Sequence, residues 1–331
     1  MLDASAKILL TGAAGFIGSF FASSLNQSGY ENLILVDDFS PASKVENHQN
    51  LDFLYKIHRE QLFDWLESNE GAIDYIIHLG ARTDTSEFDE KLLNELNTNY
   101  TKKLWEYASD NQIPFIYASS AATYGDGSHG FSDQLNREEL EKISPLNPYG
   151  WSKHVVDIWA LDQRKKPPFW AGLKFFNVYG PHENHKNRMA SVVYHAFHQI
   201  KETGKMKLFK SHNPKFKDGE QLRDFIYVKD LVKIIKFMMQ NSTSLNSGIY
   251  NVGTGNARSF KDLSEAVFKT LNLKTEIIYI DTPQDIRDKY QYFTEAEMEK
   301  LKNAGYKEKF YSLEEGVNDY IKNYLLKEAN N

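Results

Sequence analysis

The chain has 331 residues, of which 41% are hydrophobic and 14% aromatic, so it can bury a sizeable core in one large domain or two modest ones. Its 39 basic and 45 acidic residues give a formal net charge of −6 without a long basic run, which argues against nucleic acid and favours a small-molecule partner. The absence of cysteine excludes disulfides, thiolate catalysis and cysteine metal sites, and it favours a cytoplasmic location. No signal peptide or membrane span is expected, because the first predicted strand begins almost at once and no apolar stretch approaches about 18 residues.

The first predicted element is a strand at Lys7–Leu10, followed by TGAAGFIG at residues 11–18 and a helix-like segment. A helix that begins after a glycine turn presents free backbone N–H groups and the positive end of its dipole to a pyrophosphate. Gly12 suits a tight turn, Gly15 a close approach to phosphate, and Gly18 the packing of the helix on the sheet, although the spacing is GxxGxxG. An ordinary turn between strand and helix is the alternative. The predicted dinucleotide contacts here are Gly12, Gly15, Phe16, Ile17 and Gly18.

The second predicted strand, Leu33–Val36, leads into Asp37 and Asp38 about twenty residues after the glycine motif. An acidic side chain at this place commonly hydrogen-bonds the adenosine ribose and favours NAD. Lys44 and Arg59 favour NADP instead, because either cation can pair with a 2′-phosphate. A solvated surface cation is the alternative for Lys44. The expected cofactor is NADP, with NAD as the alternative.

Three further apolar strands are predicted, with helical periodicity between them. The strands are Tyr75–His78, Phe115–Ala118 and Ala171–Phe175, and the helical segments are Lys91–Ser109 and Tyr149–Arg164. This alternation predicts an α/β fold with a doubly wound parallel Rossmann sheet and ligands at the carboxyl ends of its strands. Further cofactor contacts are expected from Leu79, Gly80, Ala81 and Asn97.

The predicted domain organisation follows from a change of pattern near residue 177. Residues 1–176 are expected to form the NAD(P)-binding domain, and residues 177–331 mainly a smaller, mixed α/β substrate domain. Parts near 225–260 are expected to return and pack on the first domain.

The sequence YGWSK at residues 149–153 places a phenol and an ammonium four residues apart, and so on one face of a helix. The pKa of tyrosine is near 10, so Tyr149 needs a nearby cation to stabilise its phenolate at neutral pH. Lys153 supplies this cation and can also hold the nicotinamide ribose. Ser120, in the serine-rich stretch after the strand at 115–118, is predicted to hydrogen-bond the reacting oxygen. A surface tyrosine beside a lysine is the alternative.

Four motifs together resemble the extended short-chain dehydrogenase/reductase family over nearly the whole chain. They are the glycine motif, YASSAATYG at 117–125, YGWSK at 149–153 and NVYGP at 177–181. The resemblance implies a Rossmann domain, a smaller substrate domain and, mostly, nucleotide-sugar substrates. Ala121 and Ala122 stand where a 4,6-dehydratase of this family is expected to have an Asp-Glu pair, which disfavours dehydration.

A closer resemblance is to the ADP-glycero-manno-heptose 6-epimerases. It rests on residues 117–125, 175–186, 189–192, 208–209, 223–228 and 290–294. It implies inversion of C6 in ADP-D-glycero-D-manno-heptose with bound NADP, in the synthesis of the heptose of the lipopolysaccharide inner core. It also implies a homo-oligomer, a ring of five subunits. Another nucleotide-sugar epimerase, such as a UDP-hexose 4-epimerase, is the alternative.

The resemblance also implies roles for individual residues. A secondary alcohol can be inverted by removing hydride to a nicotinamide, turning the ketone over and returning hydride to its other face. Tyr149 and Lys186 then exchange protons on the two sides of the sugar, although Lys186 as a phosphate or cofactor ligand stays open. Val178 and Lys186 are further cofactor residues. The implied substrate residues are Asn177, Arg188, His195, Phe209, Lys210, Ser211, His212, Arg223 and Tyr290.

Two further interpretations concern charged and metal-binding side chains. Arg223 is expected to meet the diphosphate, because a guanidinium fork matches phosphate oxygens, with an ion pair to Asp224 or Glu220 as the alternative. The spacings His182-x-x-His185 and His195-x-x-His198 suggest no metal site, because no carboxylate or thiolate completes a usual ligand set.

Overall fold

A parallel β-sheet covered by helices forms the centre of the molecule, in a computed structural model that describes residues 2–69, 71, 73–287 and 290–328. The strands are β1 Ile8–Thr11, β2 Leu33–Asp37, β3 Tyr55–His58, β4 Tyr75–His78, β5 Phe115–Ser120, β6 Trp170–Phe175, β7 Asn177–Tyr179, β8 Met206–Phe209, β9 Leu222–Arg223, β10 Phe225–Tyr227, β11 Gly248–Val252, β12 Arg258–Ser259 and β13 Ile277–Ile280. Within the described residues, seven of them form one sheet in the order β11-β6-β5-β4-β1-β2-β3, every pair parallel. The predicted α/β class with a Rossmann-type sheet is confirmed.

Helices pack around this sheet and also occur in the later part of the chain, together with the smaller pairs of strands. They are α1 Phe16–Asn26, α2 Val45–His48, α3 Leu62–Ser68, α4 Glu90–Leu93, α5 Tyr100–Asp110, α6 Arg137–Leu140, α7 Pro148–Asp162, α8 Val192–Thr203, α9 Val228–Gln240, α10 Phe260–Thr270, α11 Gln284–Arg287, α12 Glu299–Asn303, α13 Leu313–Tyr320 and α14 Leu326–Glu328. Through the part of the chain that the structure describes, none of these helices is both long and apolar enough to cross a membrane.

The order of the strands reverses between β1 and β4, and such a switch point opens a crevice at the carboxyl ends of the strands. Every residue of β1, β2 and β4 is buried, which explains their continuous apolar sequences. Strand β3 was not predicted from the sequence. It lies at the edge of the sheet, where Tyr55 and Lys56 are exposed. An exposed edge strand has no need of an apolar run.

The predicted helix at Lys91–Ser109 is not one regular helix. Helix α4 and helix α5 are joined by a π-helical segment at Asn94–Asn99, which contains Asn97. A π-helical turn inside an α-helix often marks a functional site, because it redirects side chains that a regular helix would align.

Beyond β6 the chain alternates between the main sheet and smaller pairs of strands. Strand β7 pairs with β10, β8 with β13, and β9 with β12. Strand β11 pairs with β6 at the edge of the main sheet, and helix α9 packs on helix α1. Residues after 225 therefore contact the Rossmann sheet directly.

Candidate active site

A cavity of about 580 Å³ lies at the carboxyl ends of β1, β2 and β4, at the switch point of the sheet. Its wall contains many of the residues predicted from the sequence. They are Gly12, Gly15, Phe16, Ile17, Gly18, Asp37, Lys44, Arg59, Leu79, Gly80, Ala81, Lys186 and Arg188. The cavity therefore gathers the glycine turn, the end of β2, the turn after β4 and the loop around residue 186.

Two glycines shape the turn between β1 and α1. Gly12 has φ +74, and a Cβ there would lie 2.7 Å from the backbone nitrogen of Gly80. A Cβ at Gly18 would overlap the carbonyl of Gly12, so this glycine lets helix α1 pack closely on the turn that precedes it. The backbone at this end of the cavity is thus open to a close ligand such as a pyrophosphate.

Charged side chains line the end of the cavity beside β2. Asp37 is 8% exposed, accepts a hydrogen bond from the backbone of Ala14 at 2.9 Å and pairs with Lys44 at 3.0 Å. Arg59 lines the same wall, and its buried Nε has no hydrogen-bond partner among the described residues. A buried guanidinium nitrogen without a partner fits an anionic ligand group.

Asp38 points away from this wall and contacts Ser40. Its Oδ1 accepts hydrogen bonds from the Ser40 backbone at 3.0 Å and the Ser40 hydroxyl at 2.5 Å, which lower the pKa of the carboxyl. Asp38 does not belong to the residues that line the cavity. Of the two consecutive acidic residues at the end of β2, Asp37 lines the cavity and Asp38 does not.

Asn97 acts on the cavity through the backbone of its neighbours. Its Oδ1 accepts from the Arg82 N–H at 2.8 Å, and its Nδ2 donates to the Arg82 carbonyl at 3.0 Å and to the Ser152 hydroxyl at 2.9 Å. These bonds occupy the polar atoms of a side chain that is 0% exposed. Asn97 thus ties the turn after β4 to helix α7, rather than reaching a ligand as expected from the sequence.

Tyr149, Ser120 and Lys153 meet where β5 ends against helix α7. Burial raises the pKa of Tyr149 above its ordinary value, and Ser120 offsets only part of this rise. Lys153 is 2% exposed, its Nζ has no hydrogen-bond partner among the described residues, and burial lowers its pKa to about 8. A buried ammonium without a partner is costly, so it marks a place for a ligand oxygen. None of these three residues is among those that line the cavity.

Lys186 lines the cavity beside the glycine turn. Its Nζ lies 5.7 Å from the centre of the Phe16 ring, and burial lowers its pKa while Glu183 raises it. Glu183 is 1% exposed and accepts from the backbone N–H groups of Gly180 at 3.2 Å and Ser191 at 2.5 Å. This buried carboxylate holds the two ends of the loop that carries Lys186 together.

Two histidines fasten the same loop to the nucleotide-binding elements. His182 Nδ1 lies 2.8 Å from the Ser19 hydroxyl of α1, and His185 Nδ1 lies 3.1 Å from the Asn47 amide of α2. Burial lowers the pKa of each imidazole to about 4, so both are neutral at neutral pH. Throughout the described ranges, no group of three His, Asp or Glu side chains is placed to hold a metal ion.

The predicted substrate residues form a second cluster around Arg223. Its guanidinium lies 5.5 Å from the Tyr290 ring and donates to the backbone carbonyls of Leu222 and Gln291. None of the ion pairs within the described residues includes Arg223, and Asp224 instead accepts from the backbone of Thr254 at 2.8 Å. The guanidinium therefore remains free of a carboxylate.

The other predicted substrate residues surround this cluster or the loop at 184–189. The Phe209 and Tyr290 rings lie 6.2 Å apart, and His212 donates from its backbone to the Tyr292 hydroxyl at 3.0 Å. Lys210 pairs with Asp281 at 3.2 Å, and Ser211 donates from its backbone to Asp218 at 2.7 Å. The remaining three, Asn177, Arg188 and His195, lie on β7, the loop and α8, and Val178, which was predicted to contact the cofactor, also lies on β7.

Several wall residues were not predicted from the sequence. They are Thr11, Val36, His78, Arg82, Thr83, Asp84, Leu96, Tyr100, His185, Asn187 and Met189. His78 and Thr11 end adjacent buried strands and lie 2.6 Å apart, and the Thr11 hydroxyl accepts from the Gly80 N–H at 3.1 Å. Polar residues that end apolar strands are the sequence signal that could have identified these two.

Comparisons with known proteins agree with this geometry. The model of the NAD dependent epimerase/dehydratase family matches residues 8–253. The chain is 49% identical over 329 residues to the ADP-L-glycero-D-manno-heptose-6-epimerase of Fusobacterium nucleatum subsp. nucleatum, covering 97% of this chain and 98% of that protein. It is 44% identical over 319 residues to the protein of the same name from Nitratidesulfovibrio vulgaris, covering 96% of this chain and 97% of that protein.

A solved structure is similar over the same length. The crystal structure of Helicobacter pylori ADP-L-glycero-D-manno-heptose-6-epimerase has a TM-score of 0.78 and 27% sequence identity to this chain, and the match covers 98% of each chain.

Proposed function

Since the chain belongs to the NAD dependent epimerase/dehydratase family, we propose that this site inverts the configuration at C6 of ADP-D-glycero-D-manno-heptose. The activity is that of an isomerase. The observation that carries the proposal is the buried Lys153 ammonium, which has no hydrogen-bond partner among the described residues and lies four residues after Tyr149 on helix α7. With Ser120, these groups can hold a ribose and move a proton at a sugar oxygen.

A nicotinamide dinucleotide fits the residues that surround the cavity. The glycine turn would offer backbone N–H groups to its pyrophosphate, Asp37 and Lys44 would hold its adenosine ribose, and Lys153 would hold its nicotinamide ribose. When bound, this group reversibly accepts a hydride. The protein's own part is to hold and move protons and to keep the sugar in place.

We assign the proton transfers at the sugar oxygen to Tyr149 and Lys186. Tyr149 takes the proton of the C6 hydroxyl as a ketone forms, and Ser120 hydrogen-bonds the same oxygen. Lys186 lines the cavity beside Phe16 of the glycine turn, and we assign to it the proton transfer at the ketone that has turned over. Burial lowers the pKa of Lys186, as a base that must lose its charge requires.

We propose NADP as the cofactor, because of the charged side chains near the end of β2. Asp38 bonds Ser40 and so faces away from a 2′-phosphate, whereas Lys44 and the unpartnered Nε of Arg59 line the cavity. Affinities for NADP and NAD measured in the wild type and in Lys44→Ala test this assignment. Loss of NADP affinity with NAD affinity unchanged supports it, and equal losses for both contradict it.

Three broader properties are proposed with the activity. Synthesis of the lipopolysaccharide inner-core heptose follows from the substrate, and a homo-oligomeric ring from the resemblance. A cytoplasmic location rests on the composition, which has no cysteine. The division of the chain into residues 1–176 and 177–331 also stays a prediction.

The experiment that tests the activity uses the purified protein without added cofactor. ADP-D-glycero-D-manno-heptose and ADP-L-glycero-D-manno-heptose are incubated separately, and the C6 configuration is followed by NMR. Convergence of both samples on one mixture supports the 6-epimerase with a retained, recycled cofactor. No change after NADP and NAD are supplied, with epimerisation of a UDP-hexose, would refute the substrate and favour a UDP-hexose 4-epimerase.

A further inference from the structure

A buried ion pair includes a residue of helix α7, the helix that carries Tyr149 and Lys153. Asp157 and Lys174 are 2.8 Å apart, and their side chains are 0% and 1% exposed. Asp157 Oδ1 accepts from the Tyr117 hydroxyl at 2.9 Å, and Oδ2 accepts from the Ser119 hydroxyl at 2.7 Å. The pair thus joins helix α7 to strands β5 and β6.

The position of Asp157 on helix α7 links this pair to the site. Tyr149, Lys153 and Asp157 follow one another at intervals of four residues, so they form one stripe along the face that is buried against β5. Tyr149 has Ser120 as its partner and Asp157 has Lys174, while Lys153 between them has no hydrogen-bond partner among the described residues. The position of the Lys153 ammonium therefore depends on packing and on nearby charges, and not on a hydrogen bond within the described residues.

The charges around Lys153 make Asp157 its compensating group. Burial lowers the pKa of Lys153, and the carboxylate of Asp157 raises it again. His78 faces Lys153 from β4, and burial together with the Lys153 charge keeps its pKa well below the ordinary value, so it is neutral. On this side the anion that offsets the Lys153 charge is Asp157.

The other titratable groups beside Asp157 do not replace it. Burial raises the pKa of Tyr117 and Tyr124 well above 10, so both stay neutral. Burial and the Lys174 charge lower the pKa of His154, which is neutral as well. Lys174 itself donates to Thr123 and lies 4.6 Å from the centre of the Tyr124 ring, so its ammonium is fully engaged.

We propose that Asp157 is a positioning residue of the active site, which keeps Lys153 charged and aligned with Tyr149 while its own place is secured by Lys174. The proposal rests on the epimerase function inferred above. A purely structural role is the competing explanation, because a buried ion pair that joins a helix to two strands also anchors the fold. The two explanations differ in what happens to the pH dependence of turnover.

The test compares the wild type with Asp157→Asn, which removes the carboxylate, keeps the shape of the side chain and leaves an acceptor for Tyr117. Turnover and KM are measured against pH after folding has been checked by circular dichroism. Loss of the carboxylate is expected to move the alkaline limit of turnover to lower pH by about 1 unit. Turnover then falls about fivefold at the midpoint of the wild-type alkaline limit and recovers at lower pH, with KM little changed.

Tyr117→Phe is the matched control, because it removes one hydrogen bond to Asp157 and leaves every charge in place. Its alkaline limit is expected to coincide with that of the wild type. If Asp157→Asn does not fold because the Lys174 charge is left unpaired, the double variant Asp157→Asn/Lys174→Met replaces it. Its shift is expected in the same direction but smaller, because the lost Lys174 charge offsets part of the effect.

The outcomes separate the inference from the function on which it rests. A folded Asp157 variant whose alkaline limit matches the wild type would overturn the inference and leave the ion pair a structural anchor. A wild type that inverts neither ADP-heptose refutes the proposed function instead, and this is established before any variant is compared.

Discussion

The substitution Lys153→Met is expected to stabilise the cofactor-free protein while it removes epimerase activity. Lys153 is 2% exposed, and burial lowers its pKa to about 8 from an ordinary value of 10.5. A difference of this size means that the charged ammonium costs the folded state about 3 kcal/mol at neutral pH. Methionine has a similar length and no charge, so the variant avoids this cost.

The pH dependence of the effect follows from the direction of the pKa shift. Below about pH 8 the lysine is protonated in both the folded and the unfolded chain, so the whole difference of about 3 kcal/mol separates wild type and variant. As the pH rises from about 8 to 10.5, the folded chain loses its proton before the unfolded chain does. The wild type therefore regains stability and the difference closes.

Chemical denaturation of the cofactor-free proteins at about pH 7 and about pH 10 measures both effects. Lys274→Met is the control, because Lys274 is exposed, and its unfolding free energy is expected to change by less than about 0.5 kcal/mol. A Lys153→Met protein that is no more stable than the wild type at neutral pH would refute the reasoning. A gain in unfolding free energy that persists unchanged at about pH 10 would refute it as well.

Three further substitutions test other parts of the site. Lys186→Met should leave the cofactor bound while C6 inversion, followed by NMR, falls at least about 100-fold; near-normal turnover removes Lys186 from the proton transfers. Arg223→Ala should raise KM about tenfold or more in steady-state assays, and an unchanged KM contradicts contact with the diphosphate. The unfolding free energy should fall as the pH drops from 6.5 toward 4, because burial lowers the pKa of His182 to about 4 and the unfolded chain is protonated first. Denaturation of wild type and His182→Asn across this range measures the loss, and equal losses exclude His182 as its cause.

Much of the fold and part of the site could be predicted from local patterns. The strands at Leu33–Asp37 and Tyr75–His78 are apolar up to their last residue because the sheet buries both of their faces. The turn at Gly12 and the spacing of Tyr149 and Lys153 depend on a few neighbouring residues, so the sequence reveals them directly. Strand β3 and the π-helical segment at Asn94–Asn99 depend on position in the sheet and on contacts with other elements, and no local pattern predicts them.

The sequence by itself determined the α/β class, the nucleotide-binding turn and the tyrosine–lysine pair, because each arises within one element or between consecutive elements. Only the tertiary structure decided how the polar groups are used. Asn97 hydrogen-bonds the backbone of Arg82, and Asp38 hydrogen-bonds Ser40. Asp157 of helix α7 forms an ion pair with Lys174 of strand β6. Sequence spacing reports which residues share a face, whereas a pairing between distant segments depends on how helices and strands pack together.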